Sequence, residues 1–143
     1  SQVRIAESRP RTIKAPISAL YPIPPWEPAK GFNMDRALVY ALIRQESRFA
    51  AWAKSHAGAR GLMQVMPRTA SFIARDRKLV RDRERRLYDP EFNMALGQQY
   101  LGYLVDHDVT YGNLFMVLAA YNGGPGNLSR WIKNIDFKNS SRI

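Results

Sequence analysis

Glu46 stands where an acid can do chemistry. In the stretch "ALIRQESRF", residues 41–49, Leu42 and Leu38 lie one and two helical turns before it, Ile43 and Val39 fill the adjoining row, and Phe49 follows three residues later. Arg44, Gln45 and Arg48 fall elsewhere on the wheel, so solvent-facing positions were open to a carboxylate and were not used. A carboxyl on an apolar stripe is desolvated, which disfavours its charged form and raises its pKa. Such a group holds a proton at neutral pH and can give it to a poor leaving group such as a glycosidic oxygen. The competing reading is a buried glutamate satisfied by a cation such as Arg60, or by backbone amides at a helix end.

The elements that must position Glu46 read as helices. Asn33 can cap the first, with Asp35 in its first turn, and the helix runs to about Phe49. "SHAGARGLMQVMP" is a Gly-punctuated turn into short helical structure, and Pro67 suits the first turn of a helix over about 67–76. Residues 75–86 hold seven basic and three acidic side chains, a solvated surface segment or a face for a polyanion, with a small irregular element over 75–88. "YDPEF" is a helix start, with Asp89 as cap, Pro90 in first position and Glu91 in the first turn. Asn113 starts another helix, whose stripe of Leu114, Val117, Leu118 and Tyr121 ends at "NGGPG". No period-2 run of strand length and no internal repeat occurs, so the fold class is all-α.

Composition narrows the partners. The 143 residues fit one domain, and 45% hydrophobic content allows a packed core. Six of nine prolines fall within residues 1–33, so 1–32 read as a Pro-rich arm or linker, with "YPIPPW" packing on a body formed by 33–143. A surplus of 22 Lys and Arg over 12 Asp and Glu, net +10, points to an anionic partner. No cysteine excludes disulfides and thiol chemistry. No apolar run approaches the roughly 20 residues that span a bilayer, and the start shows neither a methionine nor a signal-peptide core, so the chain reads as a fragment or a processed protein. His56 and His107 are isolated, with no HExxH or cysteine partners, and no metal is assigned. No nucleic-acid motif accompanies the charge.

Four segments, "QES", "S..GA.GLMQ.MP.TA", "LYDPEFNMALGQQYL" and "AAYNGGPGN", in this order and spacing closely resemble the catalytic domain of the soluble lytic transglycosylases, the lysozyme-like enzymes of bacterial peptidoglycan turnover. The resemblance covers about residues 33–132. It implies a lysozyme-like helical fold, no cofactor, a periplasmic location, peptidoglycan strands as partner and a helical domain upstream of the arm. It implies that Glu46 protonates the oxygen between N-acetylmuramic acid and N-acetylglucosamine. The same residue then takes the proton of the muramic C6 hydroxyl as that oxygen closes on C1, giving a 1,6-anhydro product. It also implies sugar contacts for Ser55, Gln64, Met66, Tyr121 and Asn122, with the Tyr121 hydroxyl emerging from the core near Glu46. Residue chemistry alone leaves Ser55 as a turn serine, Tyr121 as a core tyrosine bonded to a carbonyl, Met63 in the core and Met66 on either side. Family members continue into a segment with an Ile-Pro and a Glu-Thr motif; here the sequence reads "RWIKNIDFKNSSRI", so the domain is expected to be truncated. Two rivals stay open, a hydrolytic muramidase of the same architecture and a non-cleaving peptidoglycan-binding or scaffolding module. Arginine supplies 16 of the 22 basic residues and suits the carboxylates of peptide stems.

Overall fold

A computed structural model describes residues 24–140. Its helices are α1 (Arg36–Ser47), α2 (Pro67–Ala74), α3 (Pro90–Asp106), α4 (Leu114–Gly123) and α5 (Pro125–Ser140). Short 3-10 turns cover Arg77–Val80, Glu84–Tyr88 and Asp108–Thr110. Among the described residues there is no strand, only isolated antiparallel bridges from Arg60 to Lys54 and to Val65. The fold is all-α, as the absence of a period-2 pattern requires. The irregular element expected over 75–88 is the first two 3-10 turns, whereas the expected short helix after "SHAGARG" is instead the bridged loop.

Helix starts follow local chemistry, with one correction. Asp89 accepts from the Glu91 and Phe92 amides ahead of Pro90, and Asn113 accepts from the Met116 amide. Helix α1, however, is capped by Asp35, whose Oδ1 accepts from the Ala37 amide at 2.9 Å. Asn33 does not cap it: the helix starts at Arg36, which leaves Asn33 two residues outside the cap position, and its backbone amide donates to Gln98 Oε1 at 3.2 Å, a partner 65 residues away. Helix α1 also stops at Ser47, since Arg48 and Phe49 are both left-handed, at φ 51° and 64°.

The described end of the arm lies on the body. Gln98 Nε2 donates to the Gly31 carbonyl, the Ala29 amide to the Glu91 carbonyl and the Tyr40 hydroxyl to the Trp26 carbonyl. Phe32 meets Tyr40 edge to face at 5.5 Å. Residues 1–23, including the first part of "YPIPPW", lie outside the described residues.

Helix α3 is central: its buried Met94, Leu96, Tyr100, Leu101 and Leu104 share one core with Val39, Leu42 and Ile43 of α1 and Val117 and Ala120 of α4. Met63 is fully buried over Gly97, where a Cβ would come within 2.3 Å of its sulfur. Asn93, also fully buried, accepts from the Met63 amide at 2.7 Å and donates to the Arg60 and Leu87 carbonyls, both at 2.8 Å. Replacing Asn93 with alanine strands the buried Met63 amide and Leu87 carbonyl and takes one of two bonds from the Arg60 carbonyl, which also accepts from the Val65 amide at 3.0 Å. Asn93→Ala is expected to lower unfolding free energy by at least about 3 kcal/mol, read as a reduced midpoint in urea denaturation.

Candidate active site

Glu46 occupies the last turn of α1, half-buried beside Val39, Leu42 and Ile43 on the same helix. The adjacent Ser47 is buried and returns its hydroxyl to the Ile43 carbonyl at 3.2 Å. The two left-handed residues that follow reverse the chain at once, a conformation that costs non-glycine residues energy and often marks a functional position. Among the described residues no hydrogen bond or ion pair reaches the Glu46 carboxyl. Burial alone pushes its pKa above the ordinary value.

The alternative of a glutamate satisfied by Arg60 fails, because Arg60 is held elsewhere. Its guanidinium lies 2.7 Å from Glu84, a pair shielded on the arginine side.

Tyr121, in α4, is buried, and its hydroxyl donates to the Met63 carbonyl at 2.5 Å. It does not emerge freely from the core as expected, because the otherwise unpaired Met63 carbonyl draws it inward. Its pKa lies well above the ordinary range, through burial first, then the charge of Glu46 and then Tyr100. Tyr121 is therefore a neutral donor within electrostatic reach of Glu46. A ladder of rings continues outward, with Tyr121 to Tyr100 at 5.4 Å, Tyr100 to Tyr103 at 6.1 Å and Tyr103 to Phe72 at 5.3 Å.

The remaining candidates sit on the bridged loop and at the end of α4. Gln64 has φ 51° and donates through Nε2 to the Ala53 and Gly61 carbonyls, which leaves its amide oxygen for a ligand. Met66 is half-buried at the start of α2, and Met63 is in the core. Ser55 is exposed, its hydroxyl accepting from the Ala59 amide at 3.0 Å, which is the bond of a turn serine. Asn122 is exposed in the last turn of α4. The fold thus sets Tyr121 on the Met63 carbonyl and within electrostatic reach of Glu46, while Ser55 shapes its own turn.

Sequence reading missed Asn93 and Gln98, which hold the loop and the arm. The signal was available, since both are amide side chains on the buried face of α3. Two surface depressions, of about 350 and 430 Å3, are lined by Tyr103, Asp106, His107 and Asp108 and by residues of the 107–111 and 129–136 segments. Glu46 lines neither, so the site is located by its desolvated carboxyl and not by concavity.

A helical domain that sets one half-buried, partnerless carboxyl beside a buried tyrosine is built on lysozyme-like lines. More particularly, the chain belongs to the family of the transglycosylase SLT domain, whose model matches residues 25–143. It is 36% identical over 107 residues to the soluble lytic murein transglycosylase of Salmonella typhimurium, covering 73% of this chain and 16% of that protein. It is likewise 36% identical over 107 residues to the membrane-bound lytic murein transglycosylase C of Edwardsiella ictaluri, covering 69% and 30%. The crystal structure of the 70 kDa soluble lytic transglycosylase of Escherichia coli matches with a TM-score of 0.59 at 36% identity, over 71% of this chain and 16% of that one. A Pseudomonas aeruginosa lytic transglycosylase, solved as an inactive mutant with one glutamate changed to glutamine, matches with the same TM-score over 70% and 16%. The chain therefore spans under a fifth of these soluble relatives. No helix among the described residues is long and apolar enough to cross a membrane.

The raised pKa of Glu46 fixes a stability trend. The folded state binds the proton more tightly than the unfolded chain, so stability is full below the ordinary glutamate pKa and falls as pH rises through the raised one. Across that window the thermal midpoint of the chain should fall relative to that of Glu46→Gln, and a carboxyl-carbon NMR titration should place Glu46 above the free value.

Proposed function

We propose that this chain is the cleaving domain of a periplasmic lytic transglycosylase, acting on the β-1,4 bond between N-acetylmuramic acid and N-acetylglucosamine in peptidoglycan. One observation carries the reading: burial raises the pKa of Glu46, a carboxyl with no partner among the described residues. A protonated carboxyl there donates to the glycosidic oxygen as the bond from the muramic C1 breaks. The resulting carboxylate takes the proton of the C6 hydroxyl while that oxygen bonds to C1, so the 1,6-anhydro product forms with no water consumed. Glu46 ends protonated, ready for the next cycle. The sugar's own N-acetyl group can stabilise the positive charge developing at C1, which makes a second carboxylate unnecessary.

Support comes from family membership and from the Pseudomonas relative, inactive with one glutamate changed to glutamine. Tyr121, neutral and fixed on the Met63 carbonyl, gives Glu46 a rigid polar neighbour. The amide oxygen of Gln64, the exposed Asn122, the half-buried Met66 and Ser55 are the proposed sugar contacts.

Digestion of purified peptidoglycan with the chain and with Glu46→Gln tests this reading. Mass spectrometry should find muropeptides ending in 1,6-anhydromuramic acid, lost by roughly a thousandfold or more in the variant. Reducing-end products one water heavier would make the protein a muramidase. Binding without release by either protein would make it a peptidoglycan-binding module.

A further inference from the structure

The segment 75–86 carries more positive charge than the fold accounts for. Asp76 caps the first 3-10 turn through the Lys78 amide and lies 3.7 Å from Arg83, while Glu84 is held by Arg60. Arg86 lies over the Phe92 ring at 4.1 Å. Left over are Arg75, Arg77, Lys78, Arg81 and Arg85, all exposed and, among the described residues, without an ion pair; Asp82 is the segment's one uncommitted acid. The fully buried Leu79 and Leu87 pin the two turns, so these mutually repelling cations are held on a fixed support.

We infer that this surface docks the free carboxylates of peptidoglycan stem peptides, an inference that rests on the proposed reaction. Two features favour that occupant over an anionic lipid surface. Four of the five cations are arginine, whose fork pairs with a carboxylate in two parallel bonds, whereas a diffuse lipid field is met equally by lysine. The segment is also tied to the candidate site by bonds in series. Glu84 holds Arg60, Asn93 joins the Leu87 carbonyl to the Met63 amide, and the Met63 carbonyl takes the Tyr121 hydroxyl. A polymer bearing both sugars and carboxylates can use both surfaces at once; a bilayer has no use for that linkage.

Binding is measured with the Glu46→Gln chain, which leaves the polymer intact, on insoluble peptidoglycan in its native form and with its carboxyls converted to amides. Amidation should weaken binding on the order of tenfold or more, as several exposed charge pairs are lost together. Adding Arg77→Gln, Lys78→Gln, Arg81→Gln and Arg85→Gln should cause the same loss on native polymer and no further loss on the amidated form. Equal affinity of the Glu46→Gln chain for both forms would overturn the inference, and that measurement does not depend on how the multiple variant folds. So would a loss from the four changes that is confined to vesicles of phosphatidylcholine and phosphatidylglycerol in equal parts. A chain that prefers carboxyl to amide yet never cuts the native polymer would overturn the reaction and not the docking; one that cuts it without that preference would do the reverse.

Discussion

The side chain of Asn93 is the constraint on which the rest of the structure depends. It is fully buried, and its oxygen and both its N–H groups are engaged with three backbone groups from two separate segments, at Arg60, Met63 and Leu87. Irregular backbone belongs at the surface because its polar groups must be paired, and here an amide side chain pairs them inside. The fit is tight enough that Gly61, at φ +79°, has no room for a Cβ, which would come 2.3 Å from the Leu87 carbonyl and 2.4 Å from Asn93 Nδ2. Only with the loop seated this way does Met63 reach its place over Gly97 and present its carbonyl to Tyr121.

From that seat the electrostatics of the site follow. Tyr121 is drawn inward to satisfy a carbonyl, and its depth keeps it neutral. Glu46 beside it is buried enough to raise its pKa and exposed enough to be approached. A fully buried glutamate would need a fixed partner, and a partner would hold it charged. Half-burial without a partner leaves the carboxyl with a raised pKa and open to approach from solvent.

Much of this was legible locally. The stripe around Glu46, the cap at Asp89 followed by Pro90 and the cap at Asn113 each depend on neighbours within about one turn, which the sequence displays. The misreadings share a different cause. Asn33 and Asp35 are both good caps, and the helix takes Asp35 as its cap while Gln98, 65 residues from Asn33, ties the Asn33 backbone to α3. The Tyr121 hydroxyl turns inward because of a carbonyl 58 residues earlier. Asn93 and Gln98 escaped notice for the same reason, since a polar side chain on a buried face announces a need without naming its partner.

The placement of charge in this domain resolves a conflict that its composition creates. A chain of net charge +10 attracts anionic polymers, yet cations close to Glu46 would favour its charged form and pull its pKa down. Burial is what raises the Glu46 pKa, and no ion pair among the described residues reaches that carboxyl. Arg60, the least exposed cation of the bridged loop, is neutralised by Glu84. The free arginines instead stand in solvent on the 75–86 segment, where counterions confine their field to about 8 Å at physiological salt. Screening and the Arg60–Glu84 pair thus let one small domain carry a strongly cationic surface and a carboxyl whose pKa burial holds above its ordinary value.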